Sequence, residues 1–426
     1  NMSQSHGTIT WHNHISRSHV TITCHNVTIT WHNVTITCRN HMSQSHVTIT
    51  CHTSDSPPHT QHVCSLCPPL QALNQDAFFA VQPSASLAVW GVLDGHGPDN
   101  GRLASQAAAA AMSSYFTSEE GQAAVAEAPK KAMVDAFEQA HAAIRHAIVR
   151  KYESADDPLI ATAEGLLVEG EGGEPVDGGA TATVVALVNG QTLVVANAGD
   201  SDALVGGLLH EGGGLVWEQL CADHTPTNVD EFIRVQGGGF GGHAQFVYDA
   251  EPPIDIFAIS ADGEVSLNAE AEASLEECGV GFKTVRGERP TAMIVPSTRQ
   301  YGEQKLGITR ALGDFYLQSH GVSWEPAVSA VDLVDISQTL SRITLVLGSD
   351  GLWDLWKYRD ALEVPLGVAQ PATGVDLMDP LADLVEQTRK HGEELFGETA
   401  DNITAVVAAF HLGDFQRGGA RSSDLL

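Results

Sequence analysis

Leu87–Leu93 holds seven residues without a polar side chain, and Asp94 ends the run. A run this short, bounded by turn residues, predicts a strand buried on both faces. Arg342–Leu347 predicts a second such strand, running into Ser349-Asp350, and Asn402–Phe410 predicts a third, beside Asp401. Thr181–Val188 and Thr192–Asn197 flank Asn189-Gly190, a strong hairpin signal. Ala203–Leu209, Leu215–Leu220 and Ile254–Ser260 add further strands. Helical spacing appears elsewhere. Gly101–Phe116 is alanine-rich, and Lys131–Arg150 places Met133, Phe137, Ile144 and Ile148 on one face. Val229–Val235, Asn268–Glu277 and Leu381–His391 read as shorter helices. Together these elements predict an α+β fold: an antiparallel β-sandwich flanked by helices on both sides.

The pattern before residue 71 is of another kind. VTITCHN, VTITWHN and VTITCRN follow one another at a period of seven from Val20 to Asn40, and MSQSH stands at Met2–His6 and Met42–His46. The V-T-I-T alternation has strand character, yet seven-residue units are too short for the usual solenoids. Three readings stand open. One is a His/Cys metal binder around Cys64-x-x-Cys67, and another is a glycosylated stalk carrying the sequons at Asn26 and Asn33. The third, an extension without regular structure, is adopted for residues 1–70. Residues 71–412 form the predicted globular domain, with an insert at 252–303, and 413–426 form a polar tail.

Charge sharpens the division. The formal net charge is −31, yet residues 1–70 hold only Asp55 against Arg17 and Arg39. The remaining chain has 52 acids against 20 bases, a field that repels nucleic acid and anionic membranes. No run of 18 apolar residues predicts a membrane-spanning helix. Five of seven cysteines lie in residues 24–67, which leaves the globular part Cys221 and Cys278 and no disulfide framework. The expected compartment is reducing, cytoplasmic or nuclear, and the expected state is a monomer.

The candidate chemistry lies where apolar strands meet aspartates. Asp94-Gly95-His96-Gly97, Ser349-Asp350-Gly351-Leu352-Trp353-Asp354 and Asp401-Asn402 all follow or precede predicted strands, and Gly199-Asp200-Ser201 is a fourth such site. Buried aspartates that converge repel one another unless a cation joins them. Carboxylate and water ligands suit a hard divalent ion, Mg²⁺ or Mn²⁺. Asp-Gly alone is only a common turn, so the signal is in the combination.

In this order the motifs resemble the type 2C, metal-dependent protein serine/threonine phosphatases. Asn74-Gln75-Asp76-Ala77-Phe78, Asp94-Gly95-His96-Gly97, Gly179-Ala180-Thr181-Ala182, Gly199-Asp200-Ser201, Asp223-His224-Thr225-Pro226, Thr309-Arg310-Ala311-Leu312-Gly313-Asp314, Asp350–Asp354 and Asp401-Asn402 carry the likeness. The resemblance implies that Asp94 bridges two ions and the Gly95 carbonyl ligates the second. It implies that Asp350 and Asp401 hold the first, with Asp76 supporting through water. Asp200 and Asp354 match a weaker third site, and His96 matches the general acid. The implied substrates are phosphoproteins, and the insert stands where the family carries a flap beside the active site.

Three positions depart from the family pattern. Gln71 stands where an arginine usually grips phosphate, Gln75 where glutamate is common, and Asp202 where arginine is usual. Asp202 is expected at the surface. No first strand is expected just upstream of Gln71, because Pro68-Pro69 and the repeats occupy that place. These departures admit an alternative, a pseudophosphatase that binds a phosphoprotein or kinase without turnover.

Overall fold

A computed structural model describes residues 28–31, 34–41, 44–53, 56–66, 74–156, 159–161, 167–169, 173–238, 244–367, 380–397 and 400–410. The Leu87–Leu93 strand is buried at every position, as its unbroken apolar run requires. It lies in a five-stranded antiparallel sheet, between Ala77–Ser84 and Ala182–Val188, with Thr192–Ala198 and Ala327–Asp332 beyond. The Ala182–Val188 and Thr192–Ala198 hairpin turns through Asn189 and Gly190, both at positive φ (54° and 66°). Asparagine and glycine tolerate that conformation better than other residues.

A second sheet faces the first. Ile403–Phe410, Leu340–Gly348, Asp202–Leu209 and Leu215–Gln219 run antiparallel in that order. Between the sheets pack Trp90, Val185, Val195, Leu345, Leu347 and Phe410. The Trp90 and Phe410 rings meet edge to face at 6.4 Å across this layer. Helices Gly101–Thr117 and Pro129–Ser154 cover the outer face of the first sheet through Met112, Phe116, Phe137, Ile144 and Ile148. Short helices Asp350–Trp353 and Tyr358–Glu363, with the longer Pro380–Leu395, cover the second. The predicted sandwich with helices on both sides is the observed architecture.

Four strands are described within residues 1–70, the tract expected to lack regular structure. Thr28–Trp31, Val34–His41, Gln44–Thr53 and Ser56–Leu66 are strands that continue the second sheet outward. The alternating V-T-I-T pattern supplies the β-branched residues a pleated strand favours. Ser56–Leu66 pairs antiparallel with Ile403–Phe410, Leu66 opposite Ile403. A strand thus lies just upstream of Gln71, where none was expected. Residues 1–27, Pro68-Pro69, Gln71 and the tail at 413–426 lie outside the described residues.

The insert adds Phe257 and Met293 to an apolar cluster that it shares with Phe232, Phe246 and Tyr316 from outside it. The helix Val229–Gly237 packs here, beside a four-stranded sheet that includes Gln245–Tyr248 and Thr291–Val295. The expected strand Ile254–Ser260 is two short pieces, Ile254–Asp255 and Phe257–Ile259, in different sheets. Ile256, between them, is fully buried in this cluster.

Candidate active site

Register brings the aspartates together. Ala77 pairs with Leu93, so the next residues outward, Asp76 and Asp94, leave one end of the first sheet side by side. Asp202 pairs with Gly348, and the same register carried two residues on sets Asp200 beside Asp350. Gly348 also pairs with Ala405, which brings the Asp401 turn to the same end. Gly351 permits the approach, since a Cβ there would stand 1.9 Å from the Asn402 carbonyl oxygen. The Thr181 N–H donates to the Asp94 carbonyl at 2.8 Å and fixes the strand exit.

The carboxylates feel one another. Burial pushes the Asp94 carboxyl well up, and Asp76, Asp350 and Asp401 add repulsion. Asp76 rises to about 7 through burial and the Asp401 and Asp350 charges, despite a hydroxyl bond from Ser349 at 3.0 Å. Asp401 rises to about 6, and Asp200 to about 6, each through burial first. Asp354 reaches about 8 through burial and the Asp350 charge. Asp350 moves the other way. Burial opposes its charge, but the Lys283 ammonium and a hydrogen bond from the Asp94 carboxyl hold it below the ordinary value. So Asp350 is the settled anion, and its neighbours are short of positive charge.

Oxygen donors in this state fit hard divalent ions. Asp76 Oδ1 and Asp350 Oδ1 are buried without a hydrogen-bond partner, a costly condition that a cation would relieve. Among the described residues no three His, Cys, Asp or Glu side chains close into a preformed cage. Magnesium-like ions tolerate that, because they keep several waters as ligands.

A small three-stranded sheet sets the histidine. Gly179 pairs with His96 on one side and with Gly313 on the other. This places His96 Nε2 2.7 Å from Asp314 Oδ2. Burial would lower the imidazole pKa, but a quarter of the side chain stays exposed and Asp314 more than offsets the effect. The pKa of His96 is raised. Gly95 is confined by close approach: a Cβ would meet the Gly101 and Gln75 carbonyls at 2.4 and 2.5 Å.

Several residues have roles that the sequence did not show. Asp314 was visible only as the end of a motif, and Lys283 had no local signal. Gln75 Nε2 donates to the Gly97 carbonyl at 2.9 Å and braces the turn that bears His96. Asp202 is a correction. It is 1 % exposed, not at the surface, because its strand is buried opposite Gly348. Burial, then the Asp223 charge, raises it to about 8. Arg310 is an anchor: with Arg234 it binds the buried Glu231, Arg310 Nη2 lying 2.6 Å from Oε1. His224 packs locally, its Nδ1 accepting from the Gly199 N–H, and burial lowers it to about 4. Among the described residues no helix is long and apolar enough to cross a membrane.

The protein phosphatase 2C family model matches residues 77–244 and 289–365, more than half of the chain. A rice relative, probable protein phosphatase 2C 54 of Oryza sativa subsp. japonica, is 25 % identical over 54 % of this chain and 46 % of its own length. Probable protein phosphatase 2C 41 of Arabidopsis thaliana is 27 % identical over 44 % of this chain and 40 % of its own. The chain thus spans less than half of either relative. The crystal structure of a serine-threonine phosphatase 2C from Toxoplasma gondii shares the fold, with a TM-score of 0.53 at 20 % identity, over 86 % of this chain and 98 % of that one. With the matched segments carrying the turns of Asp94, Asp200 and Asp350 and the His96 strand, this chain belongs to the protein phosphatase 2C family.

Proposed function

We propose that the chain hydrolyses phosphoserine and phosphothreonine esters in proteins. The observation that carries the reading is the meeting of six mutually repelling aspartates with a histidine whose proton is held by Asp314. Asp94, Asp350 and Asp401, with Asp76 and the Gly95 carbonyl, would hold two divalent ions, Mg²⁺ or Mn²⁺. Asp200 and Asp354 would line the corner open to a third. When bound, such ions supply the Lewis acidity that activates water for in-line attack and offsets charge on the phosphoryl oxygens.

The residues of the chain do the rest. A serine or threonine alkoxide leaves poorly without a proton, and the His96 imidazolium is placed to give one. Asp314 keeps that proton available near neutral pH. Gln75 steadies the turn through Gly97, so the donor is positioned before substrate arrives. A cleft of about 560 Å³ opens beside the acids, lined in part by Asp200, Asp350, Asp354, Arg286 and Tyr248. It offers room for a peptide side chain next to the reacting centre.

The test is release of phosphate from phosphoseryl, phosphothreonyl and phosphotyrosyl peptides with Mn²⁺ and with chelator. Turnover of the first two, abolished by chelator, is the expected result. Turnover that survives chelation would remove the metal-dependent reading. Binding of phosphopeptide without any turnover would favour the pseudophosphatase instead.

A further inference from the structure

Lys283 reaches into the acidic cluster. Its Nζ lies 3.0 Å from Asp350 Oδ2, 3.5 Å from Asp354 Oδ2 and 3.8 Å from Asp200 Oδ2. It comes from residues 245–288, the stretch between the two segments that match the family model. The backbone around it is clamped by contacts that do not involve the ammonium. The Val285 N–H donates to the Asp354 carbonyl at 2.9 Å. Arg286 donates to the carbonyls of Trp353 and Trp356 and lies over the Tyr358 ring, 4.7 Å from its centroid. Thr284 is buried. The segment is therefore docked by its own contacts, and docking delivers the charge.

We propose that Lys283 is a resident cation of this site, holding the corner formed by Asp200, Asp350 and Asp354 in place of a third divalent ion. The inference rests on the reading of the site as one that takes divalent ions through Asp94, Asp350 and Asp401. An ammonium has three donors, and three carboxylates surround this one. A divalent ion takes carboxylate oxygens at about 2.0–2.2 Å, inside the space that the ammonium fills. Two cations sharing Asp350 Oδ2 would also repel each other. Ion binding at this corner and docking of the Lys283 side chain therefore exclude one another. The flap and the metal count become linked: an ion that enters must first drive Lys283 out.

The consequence is a count. Mn²⁺ bound to the full chain is measured by electron paramagnetic resonance of the free ion, for the wild type, Lys283→Met and Lys283→Arg. The side chain is 40 % exposed, so its loss leaves the fold intact; circular dichroism checks this, and Lys283→Gln gives a second neutral variant. Wild type and Lys283→Arg bind two ions, and the neutral variants bind a third at least tenfold more tightly than wild type does. Adding Asp354→Asn to Lys283→Met removes that third ion again. Equal stoichiometry and affinity in wild type and the neutral variants would overturn the inference and leave the two-ion reading standing. No Mn²⁺ bound by the wild type at all would overturn both.

Discussion

His96 Nε2 stands 2.7 Å from Asp314 Oδ2, although 218 residues separate the two in the chain. Burial of the imidazole disfavours its charge, the carboxylate favours it, and the net pKa is raised. Asp314→Asn removes the attraction, so His96 loses its proton at lower pH. The alkaline limb of kcat then moves to lower pH, and kcat near neutrality falls about 10- to 100-fold with little change in KM. His96→Ala abolishes that limb and costs about 10²–10⁴-fold. A pH profile that does not move in Asp314→Asn would show that another group donates the proton.

The acidic cluster makes the chelated protein sensitive to base. Asp401, Asp76 and Asp354 have folded values of about 6, 7 and 8, against 3.8 for a free aspartate. Acids that hold protons more tightly when folded stabilise the fold less as pH rises through that window. With chelator present, Tm falls between about pH 4 and about pH 8. Mn²⁺ at the upper end restores it, because an ion that binds only the folded state stabilises that state. Thermal unfolding across pH, with chelator and with Mn²⁺, checks this; a Tm unmoved by either pH or ion would contradict the cluster.

Glu231 supports the site without touching it. It is 3 % exposed and accepts from Arg234, Arg310 and the Thr309 hydroxyl. Burial opposes its charge, but the two guanidinium groups override this and lower it to about 2. Its stabilisation is present above the unfolded value and is lost as pH falls through about 2. Arg310→Ala strips one partner from a buried ion pair and costs about 3 kcal/mol. Urea unfolding measures it. Unchanged stability with a raised KM for phosphopeptide would instead make Arg310 a phosphate ligand.

Gln75→Ala tests the brace under His96. Losing one hydrogen bond to Gly97 costs about 1 kcal/mol, read as a several-fold fall in kcat with ion affinity unchanged. A variant that loses Mn²⁺ affinity while keeping kcat at saturating ion would instead assign Gln75 to the metal centre.

Much of this site was legible because it is built at strand ends. Leu87–Leu93 and the stretch before Ser349 announce buried strands, and an aspartate at the end of one has few bland uses when four such turns recur. The sandwich was legible for the same reason. Asp202 misled because an isolated aspartate reads as exposed, whereas its pairing with Gly348 is a tertiary fact. The Gln75 contact was out of reach because its partner is a backbone carbonyl, which carries no sequence signature. Lys283 was out of reach: nothing within Gly281–Glu288 says that this turn folds back onto Asp350, 67 residues on. The repeats kept their strand signal, yet their place beside Ile403–Phe410 depends on a free sheet edge that only the assembled fold presents.

On the proposed function, Asp94 joins divalent ions to phosphoester hydrolysis. Its most direct test follows Mn²⁺ binding and phosphate release from a phosphothreonyl peptide in the same samples of wild type and Asp94→Asn. Wild-type turnover is expected to rise with ion occupancy, and Asp94→Asn, folded by circular dichroism, to lose both ion affinity and turnover, the latter by about 10²-fold or more. Undiminished turnover in Asp94→Asn, or Mn²⁺ bound as before, would contradict it.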